Sequence, residues 1–118
     1  MPLYESGRMD KWPDYKILPA QVAAAKKVGT TIKPSTNKLK KLDVFNKKGE
    51  KVASIGGRYY DGVWYGDYHT YKKTKKDRYG NVINPEERRR LYLARHRHED
   101  KDEDGKRTPS YYADKILW

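Results

Sequence analysis

Acidic side chains crowd one stretch near the end of the sequence. Asp100, Asp102, Asp104 and Gly105 match the first half of a calcium-binding loop, in which alternate carboxylates converge on the ion. The twelfth position of such a loop supplies a bidentate glutamate, but here it is Tyr111. We therefore predict no metal site and interpret the run as a solvated loop or as a partner for arginines.

Histidines and further carboxylates also fail to form a catalytic pattern. His96 and His98 are two residues apart, so on a helix they point to different faces, and we expect them to cap its C-terminal end. Asp61, Asp67 and His69 lie close in sequence, and we interpret them as polar residues of turns. The sequence therefore predicts no catalytic residue, no metal site and no cofactor.

Basic and aromatic residues give the strongest functional signal. The chain has 27 Lys and Arg against 16 Asp and Glu, a formal net charge of +11, together with 11 Tyr and 3 Trp. Such residues can neutralise phosphates and stack on bases, but tyrosine and arginine are also enriched at protein interfaces. Composition leaves a protein scaffold and a nucleic-acid binder equally open. We predict a basic contact surface formed by Lys72, Lys73, Lys75, Lys76, Arg78, Arg88 and Arg89.

Aliphatic residues are scarce in this chain. Leu, Ile, Val and Phe together make up 19 of the 118 residues, so we expect a small core that neighbouring molecules complete. Without cysteine, a disulfide framework, a cysteine-ligated zinc site and a thiol nucleophile are excluded. The sequence has no apolar run of the length that a membrane-spanning helix needs, and its first residues do not form a secretory signal.

Residues 1–41 are predicted to form an extended basic arm. Four prolines interrupt it, and one short helix is expected from Pro19 to about Val28, ending at Gly29. Residues 29–41 have the composition of a linker. We expect the arm to bind neighbouring subunits by inserting four apolar side chains into their pockets, namely Trp12, Tyr15, Ile17 and Leu18.

Residues 42–118 are predicted to form a small, irregular α+β module with a β-hairpin and one main C-terminal helix. Residues 42–45 and 50–56 alternate as paired strands around a turn that contains Gly49. Residues 57–71, rich in tyrosine and glycine, are expected to form a strand or tight loop and not a helix. A basic loop is expected over residues 72–78.

The main helix has a clear start signal. Asn84 as N-cap and Pro85 at the first helical position predict a helix over residues 85–98, with Leu91 and Ala94 facing inward. We expect this helix to anchor the C-terminal segment, which would dock on this module or on a neighbour because an exposed apolar end is a liability. The anchoring residues are predicted to be Tyr92 or Arg95 on the helix and Leu117 and Trp118 in the segment.

Several blocks of the module resemble a known family. They are the hairpin over residues 42–52 followed by Ile55-Gly56, the block Arg90-Leu91-Tyr92-Leu93-Ala94-Arg95-His96, Pro109 with Tyr111-Tyr112, and the end Ile116-Leu117-Trp118. Together they resemble a family of short, functionally uncharacterised proteins of large double-stranded DNA viruses and phages. The likeness covers about residues 42–118 and leaves the arm outside.

The resemblance implies a context and no catalytic role. In viruses of algae or amoebae with large icosahedral shells, it implies a minor capsid protein that cements the shell at its inner face. The expected partners are the major capsid protein and other minor capsid proteins, with nucleic acid or inner-membrane lipid head groups as further partners of the positive charge. The expected location is the virion, and the host cell during assembly. The alternative is a basic nucleic-acid-binding accessory protein.

Overall fold

A computed structural model describes residues 12–59 and 61–118, so residues 1–11 of the predicted arm lie outside the described part. Strands β1, β2 and β3 form an antiparallel sheet in that order, and β4 pairs with β5 in a separate hairpin. The α+β fold class is confirmed. The elements in chain order are α1 (Pro19–Lys27), β1 (Thr31–Pro34), β2 (Leu42–Phe45), β3 (Lys51–Ile55), α2 (Tyr68–Thr74), α3 (Pro85–His96), β4 (Asp102–Glu103), β5 (Lys106–Arg107) and α4 (Pro109–Ile116).

The predicted hairpin forms two of the three strands of the sheet, with β2 at the centre and β3 at one edge. Leu42 of β2 pairs with Ile55 of β3, and Val44 pairs with Ala53. The turn places Gly49 at a φ of 82°, a left-handed conformation that glycine adopts without steric cost. Since side chains alternate along a strand, Leu42 and Val44 share one face, and both are fully buried there.

The stretch predicted as a linker is part of the same sheet. Strand β1 pairs antiparallel with β2, placing Ile32 opposite Val44. Its β-branched residues Thr31 and Ile32 suit a strand, and the open edge of β2 supplies the hydrogen-bonding partner. The predicted boundary between residues 41 and 42 therefore falls inside the sheet, and residues 12–41 belong to the same compact unit as the module.

The core is small and comes from this chain itself. Tyr15, which precedes α1, and Ala25 of α1 belong to the region predicted as an arm, and both pack with the sheet and with α4. The expectation that neighbours complete the core is thus corrected for the described residues, because aromatic rings and α4 supply the apolar area that aliphatic residues lack. The buried cluster comprises Tyr15, Ala25, Leu42, Val44, Ala53, Ile55, Tyr112, Ile116 and Leu117.

Helix α2 was not expected from the sequence. Residues 68–71 were predicted as strand or tight loop, but Asp67 caps a helix there by accepting a hydrogen bond from the Thr70 backbone N–H at 2.8 Å. The basic run 72–78 therefore begins inside α2, and it leaves the helix at Lys75, which has a left-handed φ of 56°.

Helix α3 begins at the predicted residue, but a different side of the helix faces the rest of the molecule. The Asn84 side chain accepts from the Glu87 backbone N–H at 3.2 Å, and the helix ends at His96 instead of His98. Leu91 is 45 % exposed and Ala94 is also exposed, which corrects their predicted inward orientation. The side carrying Tyr92 turns inward instead, because its ring stacks on the C-terminal segment. None of the residues of α3, all of which the structure describes, is buried.

The C-terminal part contains two elements that the sequence analysis missed. The acidic run, predicted as a solvated loop or as a partner for arginines, forms the β4–β5 hairpin, whose turn places Asp104 and Gly105 at φ values of 52° and 77°. Asp102 pairs with Arg107 at 2.9 Å, so the second alternative is confirmed for this residue. Helix α4 follows, and its N-cap Thr108 and first-turn Pro109 repeat the start signal of α3. Across residues 12–59 and 61–118, no helix combines the length and apolar character needed to cross a membrane.

Candidate functional site

A buried ion pair joins the N-terminal residues to the start of α2. Lys41 Nζ donates to Asp67 Oδ2 at 2.8 Å, and the two side chains are 2 % and 0 % exposed. The Tyr15 hydroxyl donates to the same carboxylate oxygen at 2.7 Å, and Gln21 Nε2 donates to the Tyr15 oxygen at 2.8 Å. We call these four residues the Lys41 cluster.

The pKa values in the Lys41 cluster follow from burial and pairing. Burial lowers the pKa of Lys41, and attraction by Asp67 offsets only part of that effect. For Asp67, burial opposes ionisation, but Lys41 and the hydrogen bonds from Thr70 and Tyr15 outweigh it and hold the pKa below its usual value. Burial and the Asp67 charge raise the pKa of Tyr15. Lys41 and Asp67 are buried and neutralise each other, so this ion pair has a structural role.

A groove of about 1000 Å³ runs over the outer side of this cluster. Its floor includes the aliphatic stem of Lys41, which packs against Gly56 so closely that a Cβ there would lie 2.6 Å from Lys41 Cγ. Gly56 also has a φ of 85°, so both space and backbone conformation require glycine. The groove is defined here by Tyr59, Tyr65, Arg88, Tyr92, Arg95 and Trp118.

One wall of the groove is a three-ring stack between α3 and the C-terminal segment. The Tyr92 ring lies 4.3 Å from the Trp118 ring with an interplanar angle of 8°. On its other face, the His96 ring lies 4.2 Å away at 29°. Burial raises the pKa of Tyr92 to about 12, with smaller contributions from Asp114 and Glu99, so its hydroxyl stays protonated at neutral pH.

The opposite wall is formed by the loop between β3 and α2. The rings of Tyr59 and Tyr65 stack with centroids 3.9 Å apart, and the Arg78 guanidinium carbon lies 3.9 Å from the centre of the Tyr59 ring. A Cβ on Gly57 would lie 2.9 Å from the Tyr65 ring, which explains why glycine stands there. Gly66 likewise leaves room for the ring of Tyr71. Glycines thus let the rings of this wall pack against backbone.

The groove carries unbalanced positive charge on α3. Among residues 12–59 and 61–118, no carboxylate lies within ion-pair distance of Arg95. Arg88 is 3.8 Å from Asp77, too far for a strong hydrogen bond. Glu99 at the rim is already engaged, since it contacts His96 Nδ1 at 2.8 Å and accepts from Ser110 Oγ at 2.6 Å. This arrangement can bind an anion beside aromatic surface.

The residues predicted to bind partners through the arm lie largely inside the molecule. Trp12 and Tyr15 are 3 % and 7 % exposed, so they fill this chain's own interior and not a neighbour's pocket. Trp12 packs on the Arg58 guanidinium, which lies 3.5 Å from the centre of the Trp64 ring on its other side. Ile17 packs against the core, and Leu18 is half-buried as the N-cap of α1.

The residues of the predicted basic contact surface lie in several separate places. Lys72, Lys73, Lys75 and Lys76 are exposed at and beyond the end of α2. Arg89 lies over the Tyr68 ring at 4.8 Å, away from the groove. Arg88 lines the groove, and Arg78 pairs with Asp61 and braces Tyr59.

The predicted C-terminal anchor residues converge on one place. Tyr92 stacks on Trp118, Arg95 lines the groove beside them, and Leu117 is 2 % exposed in the core. Tyr59 and Tyr65, which form the other wall of the groove, are not among the residues predicted from the sequence. Their flanking glycines, Gly57 and Gly66, were the available signal, because paired glycines permit close ring packing. Asp67 is also not among the predicted residues, because the aromatic stretch that contains it predicts a strand or tight loop and not the helix that Asp67 caps.

Within the described ranges, residues 12–59 and 61–118, no three His, Asp or Glu side chains converge as a metal site. No family model, curated protein or solved structure matches this chain.

Proposed function

We propose that this protein is a structural component of a virus particle, a minor capsid protein that stabilises the shell through protein–protein contacts. The observation that carries the proposal is the groove, in which Arg88 and Arg95 stand beside stacked tyrosines and Trp118. Tyrosine, tryptophan and arginine are the residue types that dominate binding energy at protein interfaces. The family resemblance supplies the viral context.

Two further features support a contact role. The net charge of +11 favours association with an acidic partner surface. The buried pair of Lys41 and Asp67 is held in a closed network, so it serves as a fixed support under the groove. Residues from three blocks of the resemblance line this same region: Gly56 lies at its floor, and Tyr92 and Trp118 form one of its walls.

The test is incorporation into particles. Mass spectrometry of purified, nuclease-treated particles is expected to find the chain in a fixed ratio to the major shell protein, with lysine cross-links between the two. Reversing both groove charges, Arg88→Glu with Arg95→Glu, is expected to reduce incorporation about tenfold, since buried interface charges contribute strongly. The matched control is Lys47→Glu with Lys48→Glu in the β2–β3 turn, outside the groove. Absence from particles, or equal loss in the control, contradicts the proposal.

Nucleic-acid binding is the second candidate, and the exposed lysines at the end of α2 favour it. Lys72, Lys73, Lys75 and Lys76 lie next to Tyr71 and Tyr79, as in surfaces that contact phosphates. Fluorescence anisotropy with labelled single-stranded and duplex DNA discriminates the two candidates. A protein with six to ten phosphate contacts loses about 10³ to 10⁵ in affinity between about 50 and 200 mM salt. Weak binding without such a slope excludes this candidate.

A further inference from the structure

The charge on the α3 wall of the groove is exposed and is available to a partner from another molecule. Arg95 has no carboxylate within ion-pair distance among residues 12–59 and 61–118, and Arg88 has only Asp77 at 3.8 Å. Glu99, the acidic residue among the described residues that line the groove, is engaged by His96 and Ser110. Arg88 and Arg95 lie seven residues apart on α3, which is about two helical turns, so each guanidinium group can pair with a different carboxylate of an extended ligand.

The central ring of each wall, Tyr92 or Tyr59, is unsuited to stacking bases. Tyr92 has both faces covered, since Trp118 and His96 each stack on it at little more than 4 Å. Tyr59 is likewise covered by Tyr65 and by the Arg78 guanidinium. Single-stranded nucleic acid is bound through open ring faces on which successive bases stack. In this groove the central rings offer edges and hydroxyl groups instead, which suit a peptide.

Apolar surface lies beside the unpaired charge. Leu91 is 45 % exposed and Tyr65 is 48 % exposed, and both line the groove on opposite sides of it. A purely acidic ligand would leave this surface in contact with water. A ligand that covers it must therefore carry a large apolar side chain next to its carboxylates.

We infer that the groove docks an extended acidic segment of a partner protein, in which an aromatic or large aliphatic side chain stands between carboxylates. The inference deepens the proposed function and rests on it for the identity of the partner, but its chemistry is testable on the purified chain. A second copy of this chain is a poor occupant, because two molecules of net charge +11 repel. The acidic occupant complements both the guanidinium groups and the exposed apolar residues.

The experiment titrates the full chain with blocked peptides and follows the tryptophan indole signals by NMR. The probe is a peptide of sequence Asp-Glu-Phe-Asp-Glu, compared with Asp-Glu-Ser-Asp-Glu, Lys-Lys-Phe-Lys-Lys and an oligothymidylate of matched negative charge. The phenylalanine-containing acidic peptide is expected to shift the Trp118 signal and to leave those of the buried Trp12 and half-buried Trp64 in place. Its affinity is expected to exceed that of each other probe by about fivefold or more.

Variants locate the binding site. Arg95→Gln is expected to weaken the acidic peptide by about tenfold, because a charge-assisted hydrogen bond is lost. The matched control Arg97→Gln, at the end of α3 and outside the groove, is expected to stay within about twofold of the parent chain. Both variants retain the buried core, and their NMR spectra report whether each chain is folded.

Three results would overturn the inference. Equal binding of the serine-containing peptide would show nonspecific charge attraction, and tighter binding of the oligothymidylate with a shift of Trp118 would assign the groove to nucleic acid. Equal loss in the Arg97 variant would place the site elsewhere. These outcomes are separate from the proposed function, because a chain that binds the peptide and is absent from particles refutes only the capsid role.

Discussion

The Lys41 cluster and the groove use the same residue types in opposite ways. In the cluster, Lys41 and Tyr15 both donate to Asp67, and every charge is met within a sealed interior. In the groove above it, Arg95 stands among tyrosines with no carboxylate in reach within the described residues. A cation beside aromatic rings stabilises the fold where it is paired and buried, and it is available to a partner where it is not.

The largest expected effect comes from breaking the cluster. Asp67→Ala leaves Lys41 buried without its partner and removes the cap of α2, so the free energy of unfolding is expected to fall by about 3 to 5 kcal/mol. Chemical denaturation followed by circular dichroism measures it. The control is Asp102→Ala, whose pair with Arg107 is half exposed, and its cost is expected to stay below about 1 kcal/mol. Equal losses of unfolding free energy in the two variants would contradict the distinction between a buried and an exposed ion pair.

The second-largest expected effect comes from disturbing the contact between Lys41 and Gly56 at the floor of the groove. Gly56→Ala forces a Cβ into the stem of Lys41 at a positive φ, and the free energy of unfolding is expected to fall by about 2 to 4 kcal/mol. Gly49 has a similar φ of 82° but nothing within 4 Å of the added Cβ. Gly49→Ala should therefore cost only about 1 kcal/mol. Denaturation midpoints of both variants give the comparison, and a smaller loss for Gly56→Ala would refute the packing argument.

Acid is expected to weaken the cluster. The pKa of Asp67 is lower in the folded chain than in the unfolded chain, where it is about 3.9. Its contribution to stability is therefore present above about pH 4 and is lost as the pH falls through the folded value. Denaturation at about pH 6 and pH 3 tests this against a double variant, Lys41→Met with Asp67→Leu. The double variant should lose less stability in acid than the parent chain, and an equal loss would contradict the assignment.

The smallest expected effect on the stability of the fold comes from removing a charge in the groove. Arg95→Gln removes a charge that has no carboxylate partner among residues 12–59 and 61–118, so the free energy of unfolding should change by less than about 0.5 kcal/mol. Thermal melts of the variant and the parent chain measure this. A loss of about 2 kcal/mol or more would mean that Arg95 supports the fold and would remove the contrast with Lys41.

Local signals in the sequence predicted three elements well. The Asn84-Pro85 start of α3, the Pro19 start of α1 and the alternating strands around Gly49 are encoded by neighbouring residues, and the structure contains all three. Helix α4 carries the same kind of signal in Thr108 and Pro109, although no helix was predicted there.

Long-range partners explain what the sequence did not predict. Strand β1 depends on the edge of β2, and the burial of Tyr15 depends on Asp67, which is 52 residues away. The three-ring stack turned α3 so that Tyr92, and not Leu91, faces inward. The sequence shows how many charged residues the chain has but not the distances between them. It therefore could not show which of the charges are paired.

Helix α3 lies against the rest of the molecule without burying any of its residues, all of which the structure describes. Its attachment depends on the ring stack and on contacts with α2, so its amide protons should exchange with deuterium before those of the central sheet. A molecule that occupies the groove would bridge α3 to the loop opposite and slow that exchange. Slower deuterium uptake along this one helix would thus report occupancy before the occupant itself is identified.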